Sequence, residues 1–336
     1  MRPFDELTAR GQVARLRRMA LTALEQYDVE PRRVRLVANN LNGIFRVDTA
    51  DGRSYALRIS HPTWRTGNDL QSEVLWLDAL HRETDIGAPV PSCARDGALF
   101  VTVEVESIPE PRRCVLLSWL PGVLLAERLS KENVHKLGVL SARLHEHGAG
   151  FEPPSGFTTR MMDGLYVRGE EDVLFTDEYR DVFTDEGRAI FERVMERVRA
   201  AFARLYADPS GRRPIHNDLH HENVKVFRGK LQPLDFEDAL WGYPVQDIAM
   251  TWYDLLDHAD PESTDYDALR EAFERGYTSR AAWPEAYPDE IDAFIAGRQI
   301  WRANYVARHE RRYARDHNMW IAARFRAFLA NGRFER

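Results

Sequence analysis

HNDLHHENVKV, residues 216–226, is the stretch that decides how the rest of the chain is read. Its first eight residues hold three His, two Asn, one Asp and one Glu, and a β-branched run follows. Polar residues at that density seldom serve a core. They suit a metal site or a phosphate-handling loop, and the surrounding chain has to decide between the two.

The bulk composition narrows the field. The chain has 336 residues, 44% hydrophobic and 29% charged. That is room for two ordinary domains or one large one, and too apolar for disorder. A net charge of −7 argues against a nucleic-acid partner, which would call for a basic face. Two cysteines, Cys93 and Cys114, are too few for a disulfide framework. They are expected to be reduced, buried thiols of a cytoplasmic protein. Met1–Arg18 is polar and Arg-rich and lacks the apolar core of a leader. The most apolar stretch, Val115–Ala126, is short and broken by Pro121 and Gly122, so no membrane span is expected. The expected assembly is a monomer or a homodimer. No lysine precedes Lys131.

Periodicity sorts the chain into two parts. Asp5–Gln26 reads as a helix, and Pro31 ends the pattern. Val34–Ala38, Ile44–Thr49 and Ser54–Ser60 read as strands, separated by the turn cluster Asn39–Gly43 and a tight turn at Asp51 and Gly52. Leu70–Glu83 is an amphipathic helix with Leu70, Val74, Leu77 and Leu80 as its stripe. Ala98–Glu106 and Arg112–Leu120 read as two more strands. Beyond Gly122 the signals turn helical: Glu132–His147, Asp185–Ala207, Asp267–Tyr277 and, in pieces, Pro288–Leu329. The one strand signal there is a hairpin over Asn223–Phe236, turning at Arg228–Lys230. A β-rich third followed by a helical remainder predicts a two-lobed α+β protein with domains at 1–118 and 119–336. A cleft between lobes is the default ligand site.

The spacing inside the loop then carries chemistry. Four residues separate Asp218 from Asn223, and Asp235 ends the hairpin beside Phe236. Kinases use this arrangement. The first Asp orients or deprotonates an attacking hydroxyl, and the Asn and second Asp give hard oxygen ligands to Mg²⁺. The competing reading is zinc on His216, His220 and His221, a spacing that lacks the further ligands of a known zinc pattern. His216 is expected to pack under the loop. His220 and His221 stay open, one of them a candidate to line an acceptor site.

Three linked strings turn the spacing into a resemblance. HNDLHHENVKV, LDFEDAL (234–240) and GYPVQDIAM (242–250) resemble the catalytic, metal and bracing motifs of the aminoglycoside phosphotransferase and choline kinase-like family. Order and spacing match over roughly Val34–Trp252. The resemblance implies a two-lobed protein-kinase-like fold, a small antiparallel β lobe with one main helix joined to a larger helical lobe. It also implies that Asp247 braces the catalytic loop. A phosphate-binding cation falls on the third strand at Arg58, held by Glu73 of the next helix. Arginine there replaces the family's lysine and is larger, planar and bidentate. The loop with Asn40, Asn42 and Gly43 falls where kinases cover the phosphates. Adenine is expected at Leu117–Leu120, hence Ser118 and Leu120. Glu237 stands as a contact to metal water or acceptor, or as a surface acid. ALRISHP, RRCVLLSWLPG and the Arg-rich C-terminal helices resemble most the type II homoserine kinase and stress-response kinase group.

The expected activity is transfer of the terminal phosphoryl group of ATP, or GTP, to a hydroxyl of a small, amine-bearing molecule, with Mg²⁺. Two alternatives are a Ser/Thr protein kinase of the same fold and a catalytically weak nucleotide-binding protein. Asp163–Glu186, with nine acids and two Arg, offers a field for an amine or a solvated acidic face. Arg298–Arg336, with ten Arg against three acids, reads as a packed helix pair around Trp301, Tyr305, Trp320 and Phe325, charged on its outer face.

Overall fold

The computed structural model describes residue 4 and residues 6–106, 108–258 and 265–334. The chain forms two compact units. The first takes in Met1–Gly122, Glu152–Thr159 and Gln232–Glu237; the second takes in Val123–Phe151, Arg160–Leu231 and Asp238–Arg336.

The first unit opens with α1 (Ala9–Leu24), capped where the Thr8 hydroxyl accepts the Gly11 N–H at 3.3 Å. Asp5, the expected start, lies outside the described residues. Strands β1 (Pro31–Asn39), β2 (Gly43–Thr49) and β3 (Ser54–Ile59) pair antiparallel in chain order. Along β2 every second residue is buried, which is the two-residue period of a strand with one covered face. Helix α2 (Gly67–Glu83) starts earlier than its apolar stripe because Thr66 and Asp69 close a capping box. Then come β4 (Pro91–Ser92), β5 (Val101–Val103) and β6 (Arg112–Ser118), and the sheet runs β1-β2-β3-β6-β4 with β5 also on β6. The strand expected over 98–106 thus shrinks to three residues. Leu16, Met19 and Leu24 of α1 pack on Val34, Phe45, Leu57 and Leu116 of the sheet. Cys114 lies in that core, and burial pushes its thiol up to about 12. Cys93 is exposed, which corrects the expectation of two buried thiols; it follows the two-residue β4, where the chain has left the sheet.

Helices dominate the second unit: α3 (Lys131–Gly150), α4 (Asp185–Leu205), α5 (Pro244–His258), α6 (Tyr266–Thr278), α7 (Glu290–His309) and α8 (Arg311–Asn331). α3 and α6 cross at two glycines. A Cβ on Gly138 would stand 2.0 Å from the Phe273 carbonyl oxygen, and one on Gly276 1.9 Å from that of His135. Sequence patterning does not single out α5 as a helix. Its buried face mixes Val245, Ile248, Trp252 and Leu255 with Gln246, Asp247, Thr251 and Asp254, so the apolar period is interrupted.

Short strands fill the gaps: β7 (Val123–Leu124), β8 (Arg213–Ile215), β9 (Val224–Phe227), β10 (Lys230–Pro233) and β11 (Leu240–Gly242). β9 and β10 make the expected hairpin, but it turns on Arg228 and Gly229, at φ 49° and 76°. Two left-handed residues give the turn whose twist matches a hairpin, and Lys230 already belongs to the strand. β7 pairs with β9, and β8 with β11. At the C-terminus Phe325 is buried as expected, but Trp320 is 46% exposed, with the Arg324 guanidinium 3.9 Å from its ring centre. Glu335 and Arg336 lie outside the described residues. Among the described residues, no helix is long and apolar enough to cross a membrane.

Candidate active site

Each unit carries a cluster of the residues singled out above. In the first, Arg58 of β3 and Glu73 of α2 are both buried and joined by two parallel hydrogen bonds, Nη1 to Oε1 at 2.9 Å and Nη2 to Oε2. A forked pair of this kind fixes both side chains. Asp235 and Glu237 add carboxylate oxygens 3.7 and 3.9 Å from Arg58 Nη1. Burial works against the Arg58 charge, but Glu73, Glu237 and Asp235 hold its pKa well above that of an ordinary arginine. Among the described residues its buried Nε has no hydrogen-bond acceptor.

Asp235 sits in left-handed backbone at φ 62°, just before Phe236, whose buried ring meets Trp76 edge-on at 5.3 Å. That packing fixes the segment in the first unit. Glu237 is no surface acid: its side chain is 11% exposed and accepts the Asn42 amide N–H at 2.7 Å. Asn42 Oδ1 accepts the His61 N–H at 2.9 Å, so the Asn42 side chain ties the β1–β2 loop to Glu237. Asn40 is exposed. Neither Asn nor Gly43 uses the left-handed backbone their residue types would tolerate. Gly43 simply opens β2 opposite Asn39. Ser118 is bound to Val90, its N–H donating to the Val90 carbonyl and its hydroxyl accepting the Val90 N–H, both at 2.8 Å. Leu120 is half-buried just past β6.

In the second unit, the loop between β8 and β9 carries Asp218 and Asn223. The Asn223 amide donates to Asp218 Oδ2 at 2.8 Å and to the Asp218 carbonyl at 3.0 Å. The structure thus brings those two together. Asp247 of α5, fully buried, braces the loop: Oδ1 accepts the Asn217 N–H at 2.6 Å and Oδ2 accepts the His216 N–H at 3.2 Å. His145 Nε2 lies 3.0 Å from the same carboxylate, with Tyr277 behind it at 3.0 Å from Nδ1. Burial alone would raise the Asp247 pKa, but the His145 hydrogen bond and the surrounding charge outweigh it, and the net shift is downward. His216 is buried under the loop as expected, and its Nδ1 accepts the Asp218 N–H at 3.3 Å.

Two partners of the loop carry no sequence signal. Arg298 of α7 donates to the carbonyl of Asn217, which is held at φ 64°, at 2.9 Å, and to its side-chain oxygen. Asp254 of α5 accepts the His221 N–H at 3.0 Å and faces His221 Nδ1 at 2.5 Å. His220 Nε2 lies 3.5 Å from Asp218 Oδ2. Burial disfavours a charge on His220, yet the Asp218 hydrogen bond and field raise its pKa on balance.

Both clusters fit a hard cation beside a phosphate. Three carboxylates stand beside Arg58, with Arg65 at the Glu237 carbonyl, and their oxygens are donors that a cation would take. Asn223 turns its nitrogen to Asp218, which leaves the amide oxygen as the donor a cation would take. Oxygen donors of this kind suit Mg²⁺. The acidic segment, by contrast, is partly paired. Arg311 pairs with Asp181 and Arg326 with Glu186, each at 2.8 Å, so the Arg-rich end of the chain neutralises part of it.

Comparison with known proteins gives the family and the fold. The profile described as the phosphotransferase enzyme family matches residues 33–288. An amicoumacin kinase of Bacillus subtilis is 23% identical over 240 residues, 70% of this chain. The chain spans 37% and 66% of the lengths of the curated relatives it matches. Among solved structures, a microcompartment-associated aminopropanol kinase superposes with a TM-score of 0.75 at 21% identity, over 93% of this chain and 97% of its own. The amicoumacin kinase hAmiN, in complex with AMP-PNP, Ca²⁺ and Ami, gives 0.74 at 17%, over 97% and 96%. At these identities the likeness to solved structures is one of fold, and the fold is the kinase-like one expected.

Proposed function

We propose, because the chain belongs to the phosphotransferase enzyme family, that it moves the terminal phosphoryl group of ATP or GTP to a hydroxyl of a small, amine-bearing molecule in the cytoplasm. The observation that carries this reading is the Asp218 carboxylate, fixed by Asn223 on a loop that the buried Asp247 braces. A carboxylate so held can orient an incoming hydroxyl and accept its proton as the new P–O bond forms. Asn223 and Asp235 are assigned as oxygen ligands of Mg²⁺, which when bound neutralises phosphate charge. Arg58, set by Glu73, is assigned to phosphate, and its unpartnered Nε suits a phosphate oxygen. Asn40, Asn42, Gly43, Ser118 and Leu120 are assigned to the nucleotide side. Residues 1–118 serve as the nucleotide lobe and 119–336 as the catalytic and acceptor lobe. The name of the aminopropanol kinase and the AMP-PNP in the hAmiN complex support an amino-alcohol acceptor and a nucleotide donor.

The test is to incubate the protein with Mg-ATP, then Mg-GTP, and a pool of amino alcohols, aminoglycosides, sugars and a Ser/Thr peptide mix. Mass spectrometry would show one acceptor gaining one phosphoryl group, and no gain with Asp218→Asn. Phosphorylated peptides instead would move the protein to the Ser/Thr kinase reading. One observation favours a weaker catalyst: Arg58 is already surrounded by three carboxylates. That reading requires Mg-ATP binding without transfer to any acceptor.

A further inference from the structure

We propose that His220, His221 and Asp254 form a second cation site, for a borderline divalent transition metal of the zinc class. The paired histidines of the loop lack a further ligand in sequence. The fold supplies it from α5, 33 residues on from His221. One donor atom from each of the three side chains lies within 4.8 Å of the others. Metal–ligand bonds of about 2.0–2.2 Å set tetrahedral donors roughly 3.3–3.6 Å apart, so the widest spacing would close by about 1 Å while His221 Nδ1 and Asp254 Oδ2, now 2.5 Å apart, would part by about as much. His221 and Asp254 are buried, and Asp254 is anchored by the His221 backbone N–H as well as its ring. That anchoring preorganises the pair. His258, one turn along α5, holds Asp254 Oδ1 at 3.1 Å, and its ring centre is 4.7 Å from that of His221. It stands beside the three-residue group, and its half-exposed side chain gives the ion a way in.

Ligand chemistry separates this site from the one proposed for Mg²⁺. Two or three imidazoles with one carboxylate favour Zn²⁺ over Mg²⁺, which prefers oxygen alone. A bound ion would tie the 219–223 segment to α5 in place of the hydrogen bonds that do so now. The reading does not depend on phosphoryl transfer, because its measurement is metal binding.

The wild-type chain would be titrated with Co²⁺, then Zn²⁺, in excess Mg²⁺. Visible bands of tetrahedral Co²⁺, lost on adding one equivalent of Zn²⁺, are expected, and Zn²⁺ should raise the melting temperature as a native-state ligand does. His221→Gln and Asp254→Asn should each lower Zn²⁺ affinity at least about tenfold, the loss that follows even outer-shell changes. His81→Gln should not. Absence of the Co²⁺ bands in the wild type would overturn the proposal, whatever the variants do. So would folded His221→Gln and Asp254→Asn chains that bind Zn²⁺ as the wild type does.

Discussion

In the first unit one guanidinium, Arg58, faces three carboxylates; in the second, two buried carboxylates, Asp247 and Asp254, face imidazoles and backbone N–H groups. The first arrangement gathers carboxylate oxygens that a bound cation can take. The second spends its charge on holding backbone, and leaves Asp218 on a braced loop. Changes in the first cluster should therefore be felt in ligand binding and stability, and changes in the second in turnover and loop order.

The largest expected effect is on turnover. Asp218→Ala should lower transfer on the order of 10²–10⁴-fold, the usual worth of a positioned general base, and a steady-state assay with the identified acceptor checks it. Next is stability in the first unit. Arg58→Met leaves Glu73 buried without its partner and should cost about 3–5 kcal/mol, read by urea unfolding. Arg58→Lys should cost less, because a cation remains. If Arg58→Met unfolded like the wild type, the ion pair would be no part of what holds that cluster. Asp235→Asn should weaken Mg-nucleotide binding roughly tenfold or more while leaving stability near wild type, since asparagine tolerates the left-handed backbone and the side chain is 39% exposed.

A smaller effect separates the clusters by pH. Asp247 has its pKa lowered in the folded chain despite burial, through the His145 hydrogen bond. Its contribution is therefore fully present above the unfolded carboxylate value of about 3.9 and is lost as pH falls through the folded value. Asp247→Asn should flatten the loss of stability below about pH 4, measured by thermal melts across acid buffers. An unchanged acid slope would show that the Asp247 carboxylate is not what acid attacks.

The same contrast explains what could be read from sequence. The first three strands were legible because β2 keeps one face buried residue by residue. β4, β7, β8 and β11 span two or three residues each, too few to show any period. α5 hid because its polar residues Asp247 and Asp254 face inward to serve the loop, which breaks the apolar stripe that marks a helix. At the site, Asp218 and Asn223 were legible because their meeting is local. Arg298 and Asp254 were not, since they reach the loop across 81 and 33 residues. Asn42 was picked out as a loop residue, but its tie to Glu237 across 195 residues follows from tertiary packing alone. The pairing of Arg311 with Asp181 was hidden in the same way, each charge run having looked solvated when read alone.

The most direct measurement is Mg-ATP affinity by calorimetry and single-turnover transfer, side by side, on Asp218→Asn and Asp235→Asn. The account predicts that Asp218→Asn binds Mg-ATP as the wild type does and transfers almost nothing, while Asp235→Asn loses affinity first. Equal loss of Mg-ATP affinity in both, or wild-type turnover in Asp218→Asn, would contradict it.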